Sequence, residues 1–177
     1  LEKALEAEQF ALRQVQARIA QIEEQGAMRD YDVTLKALED QPWVAMRATF
    51  EGFHEAIGTM RRVASEGPKV IRNNHRGAFC VVAYADFEDR TLDLEIGWSL
   101  ARPVNAPVRL PGGEELLPGT LPAVREAACL VRDGPGPEVH GAYGALGVWM
   151  ETNGYSISGP GRELFLERPF PIPGSEH

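Results

Sequence analysis

The order strand, helix, strand, strand occurs twice along this chain, and this repetition constrains the fold more than any other feature. Period-2 alternation of β-prone residues predicts the strands, whereas apolar residues spaced three and four apart predict the helices. The first copy consists of "WVAMRATF" (43–50), "FHEAIGTMRRVASEG" (53–67), "AFCVVAYADF" (78–87) and "TLDLEIGWSL" (91–100). The second consists of "LPAVREAACLVRDG" (121–134), "PEVHGAYGALGVWMETNG" (137–154), "YSIS" (155–158) and "RELFLER" (162–168).

Two glycines support this division. Gly67 and Gly154 each end a predicted helix and each precede a predicted strand pair. One copy is too small to bury its own apolar faces, so we expect the two copies to pair. The sequence therefore predicts an α+β fold, in which duplicated βαββ units form one antiparallel sheet with two helices on one face. A further strand is predicted at residues 31–39, and residues 101–119 form a Pro/Gly-rich connector.

Residues 1–27 are rich in helix formers and carry a heptad pattern. Members of the apolar stripe at seven-residue spacing are Leu5, Leu12 and Ile19. The pattern predicts a long dimerisation helix that forms a coiled coil; an ordinary amphipathic surface helix is the alternative. The predicted organisation is this helix, a globular domain at 28–170 and a tail at 171–177. Because the sequence starts inside the helical pattern, we expect a preceding segment that carries another function.

Composition narrows the possible functions. The 177 residues carry a formal net charge of −8, which argues against direct contact between these residues and nucleic-acid phosphates. The two cysteines, Cys80 and Cys129, lie in apolar strand-like runs, as core residues in a reducing cytosol do. No apolar run has membrane-spanning length. We therefore expect a cytoplasmic protein that does not contact a membrane.

A glutamate beside an aromatic residue suggests a ligand site in the last predicted strand. Because side chains in a strand alternate, Glu163 and Phe165 share one face while Leu164 and Leu166 share the other. We expect the leucines to face the helices and Glu163 to line the uncovered face, which curves into a trough. A buried carboxylate is costly without a positive partner, so a lipophilic cation that packs on aromatic rings suits this site.

Other residues are candidates for contact with the same ligand. They lie on predicted helices and strands and are Tyr143, Trp98, Phe79, Phe53, Ile57 and Glu95, the last being a loose counterpart of Glu163. Core packing is the alternative for each aromatic residue. The histidines lie away from the cysteines and no phosphate-binding glycine loop occurs, so we predict neither a metal site nor an organic cofactor.

The segment "HGAYGALGVWMETNGYSISGPGRELFLERP" (140–169) resembles the C-terminal signature of GyrI-like small-molecule-binding domains. The heptad helix resembles the linker of MerR-type transcription regulators. The resemblance implies a duplicated βαββ fold, a ligand in a central groove, and a glutamate on the last strand that meets cationic aromatic drugs. Glu163 occupies the position of that glutamate, Phe165 follows two residues later, and Tyr143 matches the tyrosine of the helix motif. This chain departs from the usual His-x-Gly-x-Tyr pattern with His-Gly-Ala-Tyr.

Together, these features predict the ligand-sensing domain of a MerR-type, multidrug-responsive regulator. Its partners would be a drug-like small molecule, a second copy of the chain through the N-terminal helix, and DNA through a further domain. Two alternatives stay open. In the first, a GyrI-like hydrolase of reactive small molecules uses Glu163 as a general base. In the second, the trough of a protein-binding module holds a peptide.

Overall fold

The computed structural model describes residues 31–84, 91–134, 139–167 and 170. The predicted dimerisation helix and the predicted tail lie outside these residues. The described chain divides into two compact units. The smaller unit contains residues 31–37 and 125–156, and the larger contains residues 38–124 and those from 157 onward.

The strands and helices alternate much as the periodicity of the sequence predicts. In chain order they are β1 (Thr34–Leu38), β2 (Gln41–Phe50), α1 (Phe53–Ile71), β3 (His75–Ala83), β4 (Leu92–Leu100), β5 (Val108–Arg109), β6 (Glu115–Leu121), β7 (Val124–Cys129), α2 (Val139–Thr152) and β8 (Gly161–Phe165), with a 3₁₀ turn at Arg72–Asn74 after α1. The larger unit holds an antiparallel six-stranded sheet in the order β5-β6-β2-β4-β3-β8, whereas β1 and β7 pair separately.

The core of the larger unit lies between α1 and one face of the six-stranded sheet. Alternate residues of the central strands, such as Val44, Phe79 and Ile96, are fully buried in this core. The helix contributes the buried stripe Ala56, Thr59, Val63, Gly67 and Ile71. Phe53 and Ile57, which the sequence suggests as ligand contacts, are not part of this buried stripe.

The opposite face of the same sheet carries a second cluster of buried residues. Its members are Trp43, Ala45, Cys80, Val82 and Leu121. Cys80 is thus a buried core residue, as its apolar sequence context predicts, and it carries a free thiol. The two faces of the sheet therefore have separate apolar clusters.

Gly67 has a different role from the predicted one. The helix α1 does not end at Gly67 but continues to Ile71. A Cβ atom on Gly67 would lie 2.5 Å from the indole ring of Trp98 on β4. Next to this contact, Trp98 Nε1 donates a hydrogen bond of 2.9 Å to the carbonyl oxygen of Val63. Gly67 is therefore required for the close approach of helix and strand.

Gly154 ends α2 as predicted. It has a φ of 75°, and its N–H donates to the carbonyl of Glu151 while Tyr155 N–H donates to the carbonyl of Met150. These two hydrogen bonds define a Schellman motif. The Tyr155 ring stacks on Trp149 with 5.5 Å between ring centroids, which accounts for the aromatic residue directly after the glycine.

The second predicted βαββ copy differs from the structure in three respects. Residues 155–158 form no strand, and β8 pairs with β3 instead of forming a closing hairpin. The predicted strand of residues 121–134 is β7, which belongs to the two-stranded sheet. The predicted connector contains β5 and most of β6, which pair with each other. The α+β class with an antiparallel sheet and two helices is confirmed, whereas the prediction of one sheet is wrong and the duplication stays a prediction.

Within the described ranges, neither α1 nor α2 combines the length and apolar character that a membrane-spanning helix requires.

We predict that Gly67→Ala destabilises the larger unit. The added methyl group displaces the Trp98 indole and weakens its hydrogen bond to Val63, a form of overpacking that costs about 1–3 kcal/mol. Urea unfolding followed by tryptophan fluorescence measures this loss.

The control is Gly58→Ala in the same helix, where the nearest atom to the new Cβ is the flexible tip of Arg62 at 3.7 Å. Because alanine is the better helix former, this control is expected to raise stability by up to about 1 kcal/mol. Equal effects of the two variants would contradict the packing role of Gly67.

Candidate functional site

The pairing of β8 with β3 determines which way the candidate glutamate points. Glu163 lies opposite Val81, and Phe165 lies opposite Phe79. Directly opposed residues of an antiparallel pair share a face. Since Val81 and Phe79 belong to the core against α1, Glu163 and Phe165 lie on the α1 side of the sheet.

The predicted facing of β8 is therefore wrong with respect to α1. Leu164 lies opposite Cys80 on the other face and is 51% exposed, and Leu166, beyond the strand, is 72% exposed. Side chains alternate along β8 as predicted, but the pairing of β8 with β3 decides which of the two sets faces α1. As an edge strand, β8 places an aromatic residue over the core and leaves its leucines accessible.

Three aromatic rings form a row across the sheet on the α1 side. The centroids of Phe165 and Phe79 are 5.5 Å apart, and those of Phe79 and Trp98 are 5.6 Å apart. Phe79 and Trp98 are buried, whereas Phe165 is half-buried. Glu163, also half-buried, precedes Phe165 by two residues on the same face. The structure thus brings together four of the predicted site residues, two of which are packed inside the core.

The remaining predicted residues lie elsewhere. Phe53 and Ile57 occupy the first turns of α1, and Phe53 is 51% exposed. Tyr143 is half-buried on α2 and belongs to the smaller unit. Glu95 on β4 lies opposite Val82 and Arg47, on the sheet face away from α1. The two candidate glutamates therefore serve opposite faces of one sheet.

Glu95 is part of a polar network on its face. The Tyr84 hydroxyl donates a hydrogen bond of 2.7 Å to Glu95 Oε2. The guanidinium of Arg47 lies 3.7 Å from the centroid of the Tyr84 ring, a cation–π contact. Arg47 also donates two hydrogen bonds to the carboxylate of Asp93, at 2.9 and 2.7 Å. This network fixes one arginine and one glutamate side by side.

A cavity of about 360 Å³ opens beside this network. Its lining combines charged residues with apolar side chains and is formed by Trp43, Arg47, Val82, Tyr84, Glu95, Gly119, Thr120, Leu121, Pro122, Pro160 and Arg162. Trp43, Arg47 and Arg162 are not among the site residues predicted from the sequence. The signal that could have found Arg47 is its position as the only charged residue in the apolar strand "WVAMRATF".

Electrostatics on this face follow from burial and hydrogen bonding. Burial, together with the hydrogen bond to Glu95, raises the pKa of the Tyr84 hydroxyl. The hydrogen bond from Arg47 lowers the pKa of the Asp93 carboxyl below its usual value. Burial raises the pKa of the Cys80 thiol to about 12. At neutral pH, Tyr84 is therefore a neutral donor, Asp93 is ionised and Cys80 is a protonated thiol.

Other possible sites are sparse. Among residues 31–84, 91–134 and 139–167, no group of three or more His, Cys, Asp or Glu side chains is placed to hold a metal ion. A second cavity, of about 270 Å³, lies in the smaller unit. It is lined by Asp32, Thr34, Lys36, Cys129, Leu130 and Val131.

Comparison with known proteins identifies similar folds. No protein-family model and no curated protein matches this chain. Among solved structures, the crystal structure of the EcmrR C-terminal domain has a TM-score of 0.61 and 22% identity, covering 77% of this chain and 84% of that chain. The cryo-EM structure of the EcmrR–DNA complex in EcmrR-RPo has a TM-score of 0.62 and 19% identity, covering 89% of this chain and 60% of that chain.

At these identities the likeness concerns the fold. The predicted resemblance is confirmed as a likeness of fold. This chain spans 60% of the EcmrR chain in the DNA complex.

We predict that Cys80 resists alkylation in the folded protein. A pKa raised from 9.0 to about 12 leaves roughly a thousandfold less thiolate at pH 8 than an ordinary thiol has. Burial also blocks access to the sulfur. Peptide mapping by mass spectrometry after treatment with iodoacetamide measures the modification. Cys80 should react only after unfolding in urea; rapid modification in native buffer would contradict the burial of this strand.

Proposed function

We propose that this chain is the ligand-sensing domain of a MerR-type transcription regulator and that it binds lipophilic, cationic aromatic molecules on the α1 side of the sheet, at β8. The observation that carries this proposal is the half-buried carboxylate of Glu163 next to Phe165 on one face. The fold likeness to the EcmrR C-terminal domain supports the same function.

The chemistry of this position favours a cation. A carboxylate attracts positive charge, and the attraction is stronger where the carboxylate is partly removed from water. A delocalised organic cation is attracted to Glu163 and buries apolar surface against Phe165 at the same time. Phe165 packs against the buried ring of Phe79, which in turn packs against Trp98. Because rings and one charge specify little shape, the proposed site tolerates many ligands.

Some of the other predicted ligand contacts belong to this site and others do not. Phe53 and Ile57 lie on the helix that covers this face, and we propose them as contacts with the apolar part of the ligand. Tyr143 belongs to the smaller unit and is not included in this site. Glu95 is removed from this site, because it lies on the opposite face of the sheet.

Regulation would require two further partners. We propose that residues 1–27 pair two copies of the chain and that ligand binding changes how the domain sits on those helices. We further propose that DNA is bound by a different domain, because this chain carries a net charge of −8.

Two probes of matched shape test the site. We predict that the protein binds tetraphenylphosphonium and not tetraphenylborate, which has nearly the same shape and the opposite charge. Glu163→Gln should weaken tetraphenylphosphonium binding about fivefold, since a charge pair without a hydrogen bond at a half-exposed position is worth up to about 1 kcal/mol. Isothermal titration calorimetry measures both affinities. The control is Glu167→Gln, which removes an exposed carboxylate nearby and should change little.

Several results would count against this function. Equal affinity for the two probes, or an unchanged affinity in Glu163→Gln, would remove the carboxylate from recognition. If mass spectrometry of electrophilic esters mixed with the protein shows turnover that Glu163→Gln abolishes, the hydrolase alternative replaces the sensor.

We predict that the full chain is a dimer and that a chain lacking residues 1–27 is a monomer. Heptad pairing buries the apolar stripe of the helix only when two copies meet. Light scattering after size exclusion gives the two masses. An unchanged number of subunits after the truncation would assign dimerisation to another surface.

A further inference from the structure

A row of four side chains crosses the sheet on the face away from α1. Arg47 on β2 lies opposite Glu95 on β4, Glu95 lies opposite Val82 on β3, and Val82 lies opposite Arg162 on β8. Opposed residues of antiparallel strands share a face, so the order across the sheet is positive, negative, apolar, positive. All four residues line the cavity of about 360 Å³.

The two arginines of this row differ in their partners. Arg47 is bound to the Asp93 carboxylate by two hydrogen bonds and stacks on Tyr84. Arg162 donates one hydrogen bond of 2.8 Å to the backbone carbonyl of Pro122. In the described part of the chain, Arg162 has no carboxylate within salt-bridge distance. The Arg162 guanidinium is therefore held in place by a neutral carbonyl group, and its other N–H groups can bind a ligand.

Glu95 is already bound as well. One of its oxygens accepts the hydrogen bond from the Tyr84 hydroxyl, and Arg47 lies opposite it on the neighbouring strand. Glu95 is therefore next to Arg47 in the row, and its negative charge repels an anion from that end of the cavity. An anion in the cavity has its favourable partner at the Arg162 end.

The rest of the lining is suited to an apolar body. Val82 lies opposite Arg162 and Pro122 accepts its hydrogen bond, and the lining also includes Trp43, Leu121 and Pro160. Proline and valine side chains lose little conformational freedom when they are covered. A planar apolar group can therefore pack here while its charged end meets the guanidinium.

We propose that this cavity binds a small carboxylate with an apolar body, with the carboxylate hydrogen-bonded to Arg162. A guanidinium recognises a planar carboxylate through two parallel N–H donors, which adds orientation to charge attraction. This site is separate from the proposed cation site at Glu163. The consecutive residues Arg162 and Glu163 serve opposite faces of β8, so the two sites prefer ligands of opposite charge.

The test uses three probes of similar shape. Phenylacetate carries the carboxylate, phenylacetamide is its neutral counterpart, and phenethylamine carries a positive charge. Isothermal titration calorimetry with the Glu163→Gln variant of the full chain, which lacks the carboxylate of the proposed cation site, should detect binding of phenylacetate only, and more weakly at high salt concentration. Equal binding of phenylacetamide, or no binding of phenylacetate, would overturn the proposal.

Variants locate the binding. Arg162→Gln should weaken phenylacetate binding about tenfold or more, because it removes a charged hydrogen-bond donor. Arg125→Gln, at an exposed position in the smaller unit, is the matched control and should have no effect. Since Arg162→Gln also removes a bond to Pro122, Gly119→Trp provides a second test. Gly119 is exposed, lines the cavity and lies opposite Trp43, on the same face as the row, so an indole added there fills the cavity and should abolish binding with Arg162 intact.

The two sites are distinguished by crossing the experiments. Glu163→Gln should leave phenylacetate binding unchanged, and Arg162→Gln should leave tetraphenylphosphonium binding unchanged. Failure of the cation site alone leaves this inference in place. Phenylacetate affinity that survives both Arg162→Gln and Gly119→Trp would overturn it.

Discussion

The fold of the larger unit depends on the contact between α1 and β4 at Trp98. A single indole donates its hydrogen bond to the helix carbonyl of Val63 and packs against the bare backbone of Gly67. This combination limits the distance between the helix and the sheet, because the ring fills the space that a side chain at position 67 would occupy. Trp98 is also the first ring of the row that continues through Phe79 to Phe165. The position of Phe165 in the proposed cation site therefore depends on this core contact.

The second determining feature is the pairing of the edge strand β8 with β3. This pairing gives each face of the sheet one charged residue from the same two-residue segment, Glu163 toward α1 and Arg162 away from it. The neighbouring strands then supply the surroundings. On the α1 side these are buried rings, whereas on the other side they are the Arg47–Tyr84–Glu95 network and the prolines. Two chemically different surfaces thus arise from one alternating strand.

The sequence allowed prediction of those features that local periodicity determines. The strands β2, β3 and β4, the helix α1 and the terminating role of Gly154 follow from alternation, helical spacing and cap chemistry. Features that depend on partners distant in the chain were not predictable in this way. A glycine that permits close packing, such as Gly67, has the same local signature as one that ends a helix. The strand β6 lies within a Pro/Gly-rich segment, and its pairing with β2 stabilises it there. Likewise, alternation shows that Glu163 and Phe165 share a face but not which face that is.

The adjacency of Arg162 and Glu163 makes the register of β8 against β3 decisive for both faces of the sheet. Side chains in a strand repeat every two residues, so a register change by one exchanges every side chain between the two faces. A slip of β8 by one residue would therefore move the arginine toward the aromatic core and the glutamate toward Pro122. The exposed loop before β8 can absorb a change in its own length, so the pairing with β3 alone keeps the two opposite charges apart.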